Sequence, residues 1–275
     1  MIEMLPRLLL RGLPDLPDLG GVFHSMVSGG FSWYHLIPGV ADDSLVPGML
    51  QRGETYVIFA AWTGCAVVVA LAWLAKRGLD RARARGGVDA LVPDAGFTPR
   101  NVLEILTEAL FDLAESSMGR KDAKIFFPFL GALFLYILVN NLLGLVPGFL
   151  PATSCVSNNL ALAALVFLTF NAAGLWRNGF GYVKHLGGPI LVMVPFFFLI
   201  ESIGLFVRPV SLTLRLAGNM FGDHTVFGIM SDLVPWGLPS ILLGLGAFVS
   251  FIQALVFMLL TTVYISLAVA DLDHH

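Results

Sequence analysis

Apolar residues run almost unbroken through five stretches of this chain: about Thr55 to Leu74, Ile125 to Val146, Leu160 to Leu175, Pro189 to Leu233 and Pro239 to Ala270. A helix rises about 1.5 Å per residue, so roughly 20 residues cross about 30 Å of hydrocarbon. The first three stretches therefore predict one crossing each. The fourth is far too long for a perpendicular crossing, and Pro195 and Pro209 predict breaks in it, with a bent entry followed by a strongly tilted helix. The fifth predicts a second long, tilted helix. Between the first two spans the pattern changes. From Asn101 to Arg120, Val102, Leu103, Leu106, Leu110 and Leu113 recur at helical spacing among Glu104, Glu108, Asp112 and Glu115. That pattern predicts an amphipathic helix lying on the membrane surface, although a helix packed on a soluble partner would read the same way.

Composition agrees with an all-α integral membrane protein of about five membrane helices plus one surface helix. With 57% hydrophobic and 13% charged residues among 275, the chain has too little polar surface for a soluble globule of this size. The net charge of −3 matters less than where the charges sit. Lys76, Arg77, Arg81, Arg83 and Arg85 follow the first span, and Arg177, Lys184 and His185 follow the third. The positive-inside bias places both loops, and the C-terminal Asp271 to His275, on the cytoplasmic side. Residues 1–54, rich in Pro, Gly and aromatics, are expected to form an outer or interfacial segment, and residues 55–275 the membrane-embedded domain. The N-terminus is too broken by Pro6 and Arg7 for a secretory signal, which favours a mature bacterial chain in the inner membrane; a mitochondrial or other energy-transducing membrane is the alternative. Cys65 and Cys155 lack metal-ligand spacing and are read as packing residues. His274-His275 are read as a solvated tail, so neither a metal nor a cofactor is expected. No basic patch suggests nucleic acid. The chain also has no Gly-rich phosphate loop, so no nucleotide chemistry is expected on it.

Chemistry concentrates in the last two stretches. Arg215 lies deep within apolar sequence and cannot shed its proton, so it needs a carboxylate, water or backbone oxygens. Placing a guanidinium there costs from roughly 3 to more than 10 kcal/mol by different estimates, which makes an idle arginine improbable. Glu201, Asn219, His224 and Gln253 are the other polar candidates. At about 100° per residue Asn219 shares nearly the face of Arg215, whereas His224 points the opposite way. Titration near neutrality suits His224 to a proton relay, and a hydrogen-bonded core histidine is the plain alternative. For Glu201 the plain alternative is a salt bridge to Arg208. Small residues at Gly218, Gly222, Gly246, Ser250 and Ala254 would let helices or whole subunits approach closely.

Arg208 to Gly222 (Arg-Pro-Val-Ser-Leu-Thr-Leu-Arg-Leu-Ala-Gly-Asn-Met-Phe-Gly) followed by Gln253 to Tyr264 (Gln-Ala-Leu-Val-Phe-Met-Leu-Leu-Thr-Thr-Val-Tyr) resembles subunit a of the membrane sector of rotary F-type ATP synthases. Asn141-Leu142-Leu143 before Pro147 and the amphipathic segment near Asn101 extend the resemblance over about Thr55 to His275. The resemblance implies a stator that forms two aqueous half-channels with a rotating ring of c subunits, within a complex that includes peripheral-stalk b subunits. It assigns Arg215 as the arginine facing the ring carboxylate, with Gln253 beside it on the next helix and Asn219 in the same interface. Glu201 and His224 match half-channel positions. Two positions depart from the pattern: Gly144 stands where many bacterial relatives carry an acid, and Gly246 where relatives have His or Glu. Asp223 is the candidate replacement for that titratable group. The rival reading is a self-contained secondary transporter or channel with Arg215 clamping an anion, which would predict inverted repeats. The sequence has no fixed-period internal repeat.

Overall fold

The computed structural model describes residues 55–85, 98–146, 149–179, 194–233 and 238–270, and among these it is helical apart from short turns. Six helices follow in order: α1 Thr55–Arg85, α2 Pro99–Met118, α3 Arg120–Gly144, α4 Val156–Asn178, α5 Val194–Leu233 and α6 Leu238–Val269. A single 3-10 turn, Ala152–Ser154, lies between α3 and α4. The expectations for residues 1–54, for Lys184 and His185, for the C-terminal tail and for the Glu201 and His224 side chains lie outside what is described.

Among the described residues α1, α3, α4 and α6 are each long and apolar enough to cross a bilayer, which makes this a multi-pass membrane protein. α5 occupies the fourth apolar stretch. Its 40 residues would measure about 60 Å if straight, twice the hydrocarbon thickness, so it must tilt, curve or project. The expected break at Pro209 is absent. Pro195 falls in the first turn of α5, where its missing N–H is no loss, and the chain leading into it lies outside the described residues. Pro209 sits inside the helix, which continues through it without a gap. In a membrane, neighbouring helices and local adjustment can re-satisfy the backbone groups that a proline frees.

α3, α4 and α6 form the centre, with α5 laid against α4 and α6. Phe134, Phe170, Phe257, Ile137, Leu212 and Leu216 are fully buried there. Phe134 meets Phe251 edge-on at 5.8 Å, an arrangement favoured by the ring quadrupoles. α1 lies at the periphery against α2 and α3. At its crossing with α3, a Cβ on Gly64 would fall 2.8 Å from Cγ of buried Asn140, whose Nδ2 donates to the Tyr136 carbonyl at 2.9 Å. Gly64→Ala is therefore expected to destabilise the fold by about 1–3 kcal/mol, the usual size of an overpacking penalty. Thermal unfolding of the detergent-solubilised chain checks this; an unchanged midpoint would remove the α1–α3 crossing from the account.

α2 is capped by Thr98, whose hydroxyl accepts from the Asn101 N–H at 3.4 Å, and Pro99 occupies its first position. Leu110 and Ala114 are buried and Leu103 and Leu106 partly so, while Val102 and Leu113 are exposed. Gly119 alone separates α2 from α3, at φ 80°, a conformation that L side chains rarely adopt. The ends of α2, α4 and α6 are tied together. Ser266 Oγ donates to the Ser117 carbonyl at 3.0 Å, and Asn178 Nδ2 donates to the carbonyls of Ala268 and Ala270, both at 3.2 Å. Cys155 packs as expected, whereas Cys65 does not: it lies exposed on α1.

Candidate functional site

Two arginines seven residues apart on α5 have different surroundings. The Arg208 guanidinium lies over the rings of Tyr264, 5.3 Å from the centroid, and Phe170, 5.9 Å away, so α4 and α6 hold it by its flat face. Arg215 is exposed. Among the described residues its side chain has neither an ion pair nor a hydrogen bond. Beside it, about 100° round the helix, runs an exposed apolar stripe, Ile203, Val207, Val210, Leu214 and Phe221, which continues through Gly218. Those spacings of three and four residues keep one helix face outward. A Cβ on Gly218 or Gly222 would meet nothing within 4 Å. By contrast Gly246, Ser250 and Ala254 on α6 are buried within the chain, and a Cβ on Gly246 would come within 2.8 Å of a Leu145 methyl.

One turn beyond Arg215, Asn219 Nδ2 donates to Gln253 Oε1 and joins α5 to α6. Gln253 is buried, and its Nε2 has no hydrogen-bond acceptor among the described residues. A buried donor without a partner loses its hydration energy, so it invites an acceptor from water or from another molecule.

Further along α5 a cavity of about 340 Å³ opens between the end of α3, the second half of α5 and the first half of α6. Asn141, Gly144, Asn219, Gly222, Asp223 and Gly246 are among its lining residues. Asp223 is thus brought into one space with both glycines that stand where an acid or histidine was expected. Gly144 is also a packing position: a Cβ there would lie 2.8 Å from Pro151 Cγ and 2.9 Å from Met220 Cε. Arg215 does not line the cavity.

Behind the cavity lies a buried polar cluster that the sequence reading did not single out as a site. Thr153 Oγ1 donates to Asn141 Oδ1 at 2.8 Å, and Asn159 Nδ2 donates to the Thr153 carbonyl at 2.7 Å. Tyr136 donates to Asn158 Oδ1 at 3.3 Å. Asn140 Oδ1, Asn158 Nδ2 and Asn159 Oδ1 are buried without a partner among the described residues, which is the setting that buried water satisfies.

Residues 58–266 match the family described as the ATP synthase A chain. The chain belongs to the ATP synthase A-chain family. It is similar to ATP synthase subunit a of Bdellovibrio bacteriovorus, 40% identical over 245 residues that cover 89% of this chain and 99% of that one. The subunit a of Geotalea uraniireducens is 41% identical over 221 residues, 80% of this chain and 90% of its own length. Pelobacter propionicus has a relative named ATP synthase subunit a 3, 38% identical over 221 residues with the same coverage. The A-chain identity makes this protein a membrane subunit of an ATP synthase complex.

Proposed function

We propose that this A chain is the stator half of a proton-driven rotary motor in a bacterial inner membrane, carrying protons to and from carboxylates on a ring of c subunits. The supporting observation is Arg215, exposed beside an apolar helix face and without a partner among the described residues. A cation beside such a face is too costly to leave against lipid, and an acid on an adjoining ring is the partner that offsets the cost. Residues 55–275 form the membrane-embedded stator domain and 1–54 an outer segment, with peripheral-stalk b subunits as further partners.

Opposite charge within about 4–6 Å favours ionisation by roughly one to three pKa units, so a ring carboxylate releases its proton on reaching Arg215. Carboxylates turned to lipid stay protonated, because a bare anion there costs too much. Given the positive-inside orientation, the cavity with Asp223 lies on the outer side of Arg215 and Arg208 on the inner side. Asp223 then serves as the outer proton relay with His224, and the Asn141–Thr153–Asn159 cluster carries water toward it. Glu201 belongs to the inner path. Arg215 keeps the two paths electrostatically apart, so a proton crosses only by riding the ring. Gln253 offers its free Nε2 to the ring acid or its water, and Asn219 fixes the orientation of that amide. Gly218 and Gly222 leave room for close approach of the ring. Gly246, Ser250 and Ala254 hold α6 against the rest of the stator. Each proton moving through about 100 mV releases roughly 2.3 kcal/mol, which requires several protons per ATP. The anion-clamp reading has less support, since it calls for inverted repeats and the sequence has no fixed-period repeat.

Contact across this face is the direct test. In membranes holding the assembled complex, a cysteine replacing Leu214, which is 62% exposed, is expected to form a disulfide with cysteines placed beside the ring carboxylate. Cysteine at Leu168 on α4, 64% exposed, serves as the control and is expected to form none. Cross-linking at Leu168 but not at Leu214 would move the ring to another face and end the proposal.

A further inference from the structure

α1 and α2 diverge from α3 to leave an open groove of about 600 Å³. Ala75, Leu79, Leu103, Phe111 and Phe127 supply apolar surface, with Phe111 and Phe127 edge-on at 5.2 Å. Lys76 and Glu108 stand in the same groove, and among the described residues neither makes an ion pair. Glu104 is already engaged by Arg100 at 3.5 Å.

Depth narrows the choice of occupant. The apolar run of α1 ends at Ala75, and Arg77 lies 3.4 Å over the ring of Trp73, a pairing suited to the boundary between hydrocarbon and water. The groove therefore straddles the inner face of the membrane. A ligand there must be apolar at one end and carry both a negative and a positive group at the other. The groove's size falls within the range of small-molecule sites.

We infer that the groove is a site for one zwitterionic aminophospholipid of the inner leaflet, its phosphate toward Lys76 and its primary ammonium toward Glu108. An ammonium brings three hydrogen-bond donors to the carboxylate, whereas a quaternary trimethylammonium brings none. A singly anionic glycerol headgroup leaves Glu108 facing no cation. The site thus discriminates between headgroups of equal chain length. This inference rests on the membrane placement and is independent of the proton path.

The intact complex, reconstituted in bilayers of mixed composition, is photolabelled with phosphatidylethanolamine, phosphatidylcholine or phosphatidylglycerol carrying the same diazirine acyl chain. Labelled peptides are then mapped. Phosphatidylethanolamine is expected to label the Leu103–Phe111 region at least about threefold more than the other two, the size of one exposed charge-assisted contact. Glu108→Gln should bring the ethanolamine-to-choline ratio to parity, and Lys76→Gln should lower labelling by all three. Thr107→Trp, which fills the groove from an exposed position, should remove labelling there and leave that at Leu168 unchanged. Equal labelling by the three probes, an excess of phosphatidylglycerol, or an ethanolamine preference that survives Glu108→Gln overturns the assignment. Displacement of the probe by inorganic phosphate would also overturn it, as the mark of a simple anion site.

Discussion

Arg215→Ala is expected to abolish proton-driven ATP synthesis, with a loss of about 100-fold or more, while the subunit still assembles. The size follows from removing a single fixed charge from the centre of a dry site, where such groups are worth orders of magnitude in rate. Arg215 is exposed and makes no bond within the described chain, so its removal leaves no unpaired partner behind and folding is spared. A second readout separates its two duties. Without the guanidinium the inner and outer paths are no longer held apart, so passive proton leakage through the membrane sector should rise even as synthesis stops. Arg215→Lys keeps a positive charge but loses the planar fork, and should retain separation better than it retains turnover. Unchanged synthesis in the alanine variant would defeat the stator reading. Lost uptake of a small anion would transfer support to the transporter.

The next largest effect is expected from Asp223→Asn, which removes the only carboxylate lining the cavity among the described residues. A positioned proton-transfer group contributes about 100-fold or more, so ATP-driven pumping in inverted vesicles should fall by about that factor. Asn is nearly isosteric, so the cavity keeps its shape. Asp223→Glu should restore most of the activity, which a packing role would not explain, since the longer side chain fits less well. Full pumping in the asparagine variant would leave His224 as the sole relay and remove Asp223 from the path.

Cost made the site partly legible in the sequence. A charge in a long apolar run is expensive, and Arg215 stood out for that reason, whereas Asp223 drew notice only through the family resemblance, as a replacement for the group absent at Gly246. Neutral amides carry no such signal. Asn140, Asn141, Thr153, Asn158 and Asn159 come together only because the 3-10 turn at Ala152–Ser154 folds the segment before α4 back onto the end of α3. Small residues were visible as a class but not by direction. Gly218 and Gly246 look alike in sequence, yet one faces open space and the other a Leu145 methyl. The places of the spans could be read from the apolar runs, but not the lengths of the helices that carry them: α1 runs on through the basic segment, read as a loop, as far as Arg85. Pro209 could not be read either, since whether a proline breaks a helix depends on neighbours that only tertiary packing supplies. For α2, periodicity located the helix, but which of its apolar residues pack on the chain and which stay exposed, as Val102 and Leu113 do, depends on neighbours that periodicity does not carry.

The lone Gly119 between α2 and α3 leaves no slack at that corner, and the Ser266–Ser117 bond braces α6 against it. On the stator reading, a ring driven round against α5 and α6 would exert an equal and opposite twist on them. With no spare residues at the elbow, that twist would reach the surface helix as force instead of being absorbed as stretch. Lengthening the corner by a few flexible residues should therefore make the motor slip under load while leaving it free to turn when unloaded.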